Sequence, residues 1–216
     1  MKLYKFRSLR NYEDYKRVQY IITTGKFWCS KLWNLNDPME GVYKNSDFNS
    51  DNINQIFDEK NNYLICSFSG KIGFNNPLLW GYYANGFKGV TIEVEIENKD
   101  IIKVEYVSQD KFNKNMNDVK EIITQKLNNW KHENEYRFLI ESEENQQEIG
   151  RITKVFFGNP YSNLNNSKKI LETSNSLRDF KKYKCKLKET CETKNIYTED
   201  YILNEVIHNG KIKHEN

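Results

Sequence analysis

The sequence predicts a single α+β domain with a mostly antiparallel mixed sheet and peripheral helices. Two patterns and a count carry that expectation. Val90, Ile92, Val94 and Ile96 alternate with Thr91, Glu93, Glu95 and Glu97, the period of a strand with one core face and one polar face. Val119, Ile122, Ile123, Leu127 and Trp130 recur at three- and four-residue steps, the period of an amphipathic helix over about 117–130. About seven strand-like segments are interrupted by helix-like ones without regular strand–helix–strand alternation, which disfavours a wholly parallel sheet.

Taken in order, Leu3–Arg7 reads as a first strand with Tyr4 and Phe6 on one face. Asn11 is an N-cap for a helix running to Thr24, and Gly25 ends it. Lys26–Ser30 reads as a strand, followed by the turn Leu35–Glu40, in which Asn36 and Asp37 can bond backbone amides and Pro38 fixes the corner. A short helix fits Asn52–Glu59, a strand Asn62–Ser69, and a helix Pro77–Ala84 with proline near its first position. After strands at 89–97 and 102–108 and the long helix comes a strand over Ile152–Phe157, then a helix over 165–174. Phe180–Thr190 is expected as a strand whose Lys182, Lys184, Lys186 and Lys188 share one face, and Gly210–Asn216 as a frayed end.

Composition narrows the class. Of the 216 residues, 38% are hydrophobic and 14% aromatic, so the core is expected to be built largely of rings. The length suits one domain, with a motif-bearing part over 1–158 and a basic part over 159–216. A formal charge of 33 − 30 = +3 is too mild to argue for nucleic acid by itself. The N-terminal residues lack an apolar leader, no run approaches the ~18 apolar residues of a membrane span, and the four cysteines are scattered without CxxC pairing. These features predict a soluble, reduced, cytoplasmic protein without a structural metal. Gly70–Gly73 has neither the spacing nor the junction of a phosphate-binding loop.

The chemistry concentrates between Lys126 and Ile140. From Glu133 the period drops to two, so Tyr136, Phe138 and Ile140 point to one side of a strand and Glu133, Glu135 and Arg137 to the other. Bordering a pocket, that face would be a chemical centre; bordering solvent, only an ion pair. Arg7, Asp37, Glu40, Glu133, Glu135 and Arg137 could equally form a buried network that fixes the fold.

Six motifs in order, Leu3–Arg7, Asn36–Glu40, Cys66–Ser69, Pro77–Ala84 with Gly86 and Gly89, Trp130–Arg137 and Phe156–Gly158, resemble the bacterial family catalogued as domain of unknown function 2971 over roughly 1–158. Gly81 and Tyr82 stand where that family usually carries Ser-His, which removes any role resting on the histidine. The family supplies no activity. In layout, Arg7, then Ser67 and Ser69, then Glu133-Asn-Glu135 is similar to the Arg–Ser–Glu order of ADP-ribosyltransferase-like enzymes. That similarity implies NAD as substrate and a macromolecular acceptor, nucleic acid or protein, as for a toxin or phage-defence effector. It implies Glu135 beside the ribose, Glu133 as proton acceptor, and Arg7, Tyr4, Asn36, Asp37, Ser67, Ser69, Trp80, Tyr83 and Arg137 around the dinucleotide. Glu135→Gln is then expected to abolish activity at a stability cost within about 1 kcal/mol. The competing expectation is a non-catalytic module binding nucleic acid or a partner through Lys182, Lys184, Lys186 and Lys188.

Overall fold

The computed structural model describes residues 1–37, 39–42, 50–97, 100–110, 118–160 and 174–202. In chain order these form β1 (Lys2–Ser8), α1 (Tyr12–Thr24), β2 (Lys26–Trp28), α2 (Ser50–Asn62), β3 (Tyr63–Ser69), α3 (Lys71–Phe74), α4 (Pro77–Tyr83) and β4 (Gly89–Glu95). There follow β5 (Ile101–Lys103), β6 (Glu105–Val107), α5 (Val119–Ile122), β7 (Gln125–Leu127), β8 (Glu135–Glu141), β9 (Gln146–Glu148), β10 (Arg151–Gly158), α6 (Asn175–Thr193) and β11 (Tyr197–Tyr201). The fold class is α+β with mostly antiparallel strands in a mixed sheet, and no helix among the described residues is long and apolar enough to cross a membrane.

The chain divides into two compact units that alternate along the sequence. The first comprises Met1–Gly25, Phe74–Glu95 and Arg151–Asn216. Its strands run in the order β11-β10-β4-β1, antiparallel except for the parallel β10–β11 pair. α1 starts where Asn11 accepts the Asp14 amide and stops at Gly25, whose φ of 74° suits a residue without a side chain. Its core is aromatic: Tyr4, Phe6, Phe74, Trp80, Phe156 and Tyr201 pack with Leu79 and Ala84. β4 is buried on both faces, contrary to the half-polar strand its alternation predicts. Thr91 is enclosed, and Glu93 is tied down by Lys2, Tyr4 and Thr153 at 2.9, 3.2 and 2.7 Å. These partners hold the Glu93 carboxyl below the usual range, while burial pushes the Tyr4 hydroxyl up to about 12.

The second unit comprises Lys26–Gly73 and Ile96–Gly150. It holds the antiparallel run β3-β8-β5, the antiparallel β2–β9 pair and the parallel β6–β7 pair. Ile56, Tyr63, Ile65, Val119, Ile122 and Ile123 form a core cluster, and Phe27, Phe68 and Phe138 stack edge to face beside one another.

Two expected elements are corrected. The helix over 117–130 shrinks to the single turn of α5. Thr124 ends it, its hydroxyl returning to the Lys120 carbonyl at 2.6 Å and its own carbonyl accepting the Glu105 amide. Pairing with β6 then draws residues 125–127 into β7, and Leu127 and Trp130 leave the helical face. The strand over 180–190 is instead the middle of α6. Leu177, Phe180, Tyr183, Leu187 and Cys191 are its buried stripe, a 3-3-4-4 spacing that the conspicuous alternating lysines obscured. The helix expected over 165–174 falls almost wholly outside the described residues, as does the chain end from 203.

Candidate active site

Lys126 is the centre of the site. β7 places its ammonium inside the second unit, only 3% exposed, 2.8 Å from Glu40 Oε1, 2.8 Å from Glu133 Oε2 and 2.8 Å from Glu135 Oε2. The indole of Trp130 covers it, with the ring centroid 5.3 Å from Nζ. Arg137 completes the cluster. Its Nε meets Glu135 Oε1 at 2.7 Å, and its Nη2 meets Glu135 Oε2 at 3.1 Å and Glu40 Oε1 at 2.7 Å, so the fork holds Glu135 bidentately. Its Nη1 donates to the Ile123 carbonyl at 2.5 Å. The corrected end of α5 is therefore what receives the guanidinium.

Glu133 and Glu135 reach the same cation, though not by strand alternation. Glu133 ends a 3-10 segment, Asn128–Glu133, and Asn134 follows with φ 47° and ψ 51°. That left-handed turn, which asparagine tolerates better than most residues, re-aims the chain before β8 begins. Two glycines let the turn sit close. A side-chain carbon on Gly70 would collide with Asn134, and one on Gly73 with the Ser69 hydroxyl and the Glu133 carbonyl. The Ser69 hydroxyl itself donates a short hydrogen bond to that carbonyl. In the β3–β8 register Ser67 lies opposite Arg137 and Ser69 opposite Glu135. The Glu135 amide donates to the Tyr106 hydroxyl at 2.8 Å.

Charge and burial decide the chemistry of this cluster. Three carboxylates face two cations, so 2 − 3 leaves one negative charge in excess within a nearly dry interior. Burial pushes the Glu40 carboxyl above the usual range, against the pull of Arg137 and Lys126, and its Oε2 is enclosed without a hydrogen-bond partner. For Glu135 burial acts the same way, but Arg137 and Lys126 together outweigh it and hold that carboxyl well below the usual range. Lys126 and Arg137 stay charged far into alkali because their carboxylate partners outweigh burial.

Linkage gives the two glutamates opposite signs. Glu135, depressed in the fold, contributes stability above the ordinary carboxylate pKa, and that stability is lost as pH falls through its folded value. Glu40, raised in the fold, costs stability as pH rises from the ordinary carboxylate range through its folded value. Glu40→Gln is therefore expected to become progressively more stable than wild type as pH rises across that window. Urea titrations at pH 5 and pH 8 test this; a difference that stays flat or reverses would contradict the assignment.

The remaining expected site residues are divided between the two units. Asp37 is buried in the second unit, where its carboxylate accepts the Met39 amide at 2.9 Å, and Asn36 is exposed. Arg7, Tyr4, Trp80 and Tyr83 belong to the first unit. Arg7 donates to the Phe6 carbonyl at 3.3 Å, and Tyr4 is committed to Glu93. Trp80 is a core residue, stacked on Phe87 and Tyr201 with its indole N–H on the Phe74 carbonyl. On α6 the four lysines do not share a face. Lys184 and Lys188 turn to Asp200, each at 2.9 Å, whereas Lys186 lies over the Tyr15 ring and Lys182 is exposed. Lys126 escapes the sequence reading because it sits inside an expected helix, whereas Glu40 is named there as a possible member of a buried network with Glu133, Glu135 and Arg137.

Set beside known proteins, the chain matches no family model, no curated protein and no solved structure. Function is therefore read from the cluster.

Proposed function

We propose that the second unit cleaves NAD and transfers ADP-ribose to a macromolecular acceptor, with Glu135 as the ionised carboxylate beside the ribose and Glu40 as the proton acceptor. One observation supports this above the others: two carboxylates bound to the same two cations are driven in opposite directions. Environments that split a pair in this way assign one group to proton transfer and the other to charge stabilisation. In the reaction the bond between ribose C1 and the nicotinamide nitrogen breaks, its electron pair leaving with nicotinamide. Positive charge develops on the ribose, where a fixed carboxylate stabilises it. A lone pair of the acceptor closes the new bond to C1, and the acceptor proton passes to Glu40. A carboxylate raised by burial is the better base near neutrality. Glu133 moves from proton acceptor to partner of Lys126. Ser67 and Ser69 lie opposite Arg137 and Glu135, which keeps them beside the site.

All three carboxylates are buried, so the reading requires substrate to displace part of the cluster's cover. Glu40 is the member carried by a turn rather than by a strand or the 3-10 segment, which makes it the one to move. The α6 lysines lie on different sides of the helix rather than in one row, so they add no support to the binding-module alternative.

The test is nicotinamide release from NAD, with and without candidate nucleic-acid and protein acceptors. Wild type is expected to release nicotinamide, and Glu40→Gln, which balances the cluster's charge, to stay folded and lose on the order of 10²-fold or more. A folded Glu40→Gln protein at the wild-type rate would remove Glu40 as the base. Wild type inert with every acceptor tried would count against transfer itself.

A further inference from the structure

Glu40 owes its place to a short turn. Within it the bonds are local: the Asp37 carboxylate accepts the Met39 amide at 2.9 Å, and the Asp37 carbonyl accepts the Glu40 amide at 3.1 Å. Gly41 follows with φ 69°, buried against the Leu32 side chain. These local bonds set the shape of the turn, and the ion pairs of Glu40 with Lys126 and Arg137 tie it to the cluster. A further tie comes from α2, where Lys60, in the last helical turn, sends its ammonium to the Gly41 carbonyl at 2.9 Å.

That lysine is 9% exposed, and burying an ammonium is costly unless its hydrogen bonds are made within the protein. Burial also lowers its pKa, the expected cost of keeping it there. The end of a helix offsets part of this, since the carbonyl end of the helix dipole favours a cation. A second lysine, Lys31, donates to the Asn61 carbonyl at 2.7 Å, so the end of α2 is itself pinned to the segment that leads into the turn.

We propose that Lys60 is the positioning residue for Glu40: by holding the Gly41 carbonyl to the end of α2 it aims the neighbouring carboxylate at Lys126 and Arg137. Lys60 touches no reacting atom. Its catalytic consequence rests on Glu40 acting as the base, whereas its structural consequence does not. Without the tether only the ion pairs to Lys126 and Arg137 act against release of Glu40 to water, where its carboxyl titrates as an ordinary glutamate, so more of the protein carries it outside the cluster while Glu133, Glu135 and Arg137 keep their elements.

The experiment is NMR of protein labelled with ¹³C at glutamate carboxyls and ¹⁵N at lysine, the Glu40 signal being assigned with Glu40→Gln. In wild type a through-hydrogen-bond coupling between Lys60 Nζ and the Gly41 carbonyl carbon is expected. In Lys60→Met, which keeps the apolar stem, the Glu40 titration is expected to move down towards that of an ordinary glutamate, with Glu135 unchanged. Lys60→Arg, which keeps a donor, is expected to restore most of the shift. Absence of the wild-type coupling overturns the proposal, and this decides the matter if Lys60→Met does not fold. A folded Lys60→Met protein with the wild-type Glu40 titration overturns it as well. None of these signals depends on turnover, so a protein that shows them but never releases nicotinamide contradicts the transferase reading alone.

Discussion

Lys126→Met is expected to destabilise the protein by about 3–5 kcal/mol, the usual cost of removing one partner from a buried ion pair. Here the cost belongs at the upper end, because one ammonium is shared by three carboxylates each 2.8 Å away. Methionine preserves most of the stem's volume and its contact with Trp130, so the loss is electrostatic rather than a cavity. Urea unfolding at pH 7 measures it. The pH dependence distinguishes this cause from a packing defect. Without Lys126, Glu40, Glu133 and Glu135 repel one another with only Arg137 between them, and protonation relieves the strain. The gap between variant and wild type should therefore narrow as pH falls from 7 towards 5. Adding Glu40→Gln, which leaves two carboxylates rather than three facing Arg137 and so returns the cluster to the wild-type excess of one negative charge, should recover part of the loss. A gap that is constant with pH, or two substitutions that simply add, would show that the cluster is not a coupled unit.

Glu135→Gln is expected to be costly twice over. From the sequence alone it looked nearly neutral for stability, because a glutamate on a strand face loses little when replaced by its amide. The structure reverses that. Glu135 is held in its ionised form by the guanidinium fork on one side and Lys126 on the other. An amide cannot accept both sets of bonds without turning its N–H groups towards cations, so a loss of about 3 kcal/mol is expected. For the proposed transfer, losing a fixed negative charge beside the developing cation is expected to cost on the order of 10²–10³-fold in nicotinamide release. Because folding and catalysis fall together, the rate must be normalised to the folded fraction, read from the same urea curves. A Glu135→Gln protein as stable as wild type would mean the Arg137 fork does not hold this carboxylate in solution. A stable protein with wild-type turnover would end the transferase assignment.

What local pattern could determine, it did. The first helix is capped where Asn11 and Gly25 imply, because capping depends on neighbours within a few residues. β1, β3 and α4 follow from alternation, aromatic content and a proline at the first turn. The pairing of Glu133, Glu135 and Arg137 as one group was also legible, although the sequence attributed it to a strand and the chain achieves it with a left-handed Asn134. Misassigned elements share a cause. The apolar spacing that suggested a long helix was real for Val119 to Ile123, but the Thr124 carbonyl was claimed by β6, and a ladder bond made far away in sequence outweighs a few tenths of a kcal/mol of helix propensity. The lysines of α6 suggested a strand by alternating, while the five buried residues beneath them kept the helical period.

The cluster itself lay beyond any local pattern. Glu40 and Lys126 are separated by most of the second unit's sequence, and neither carries a motif that names the other. Only packing brings them together, and only in that packed, water-poor interior do three carboxylates and two cations acquire opposed proton affinities. Sequence determined which charges the chain possesses and which short elements bear them. Tertiary structure decided which of those charges share a low-dielectric site, because Coulomb interactions and desolvation depend on distance in space and on burial, and neither is a property of position along the chain.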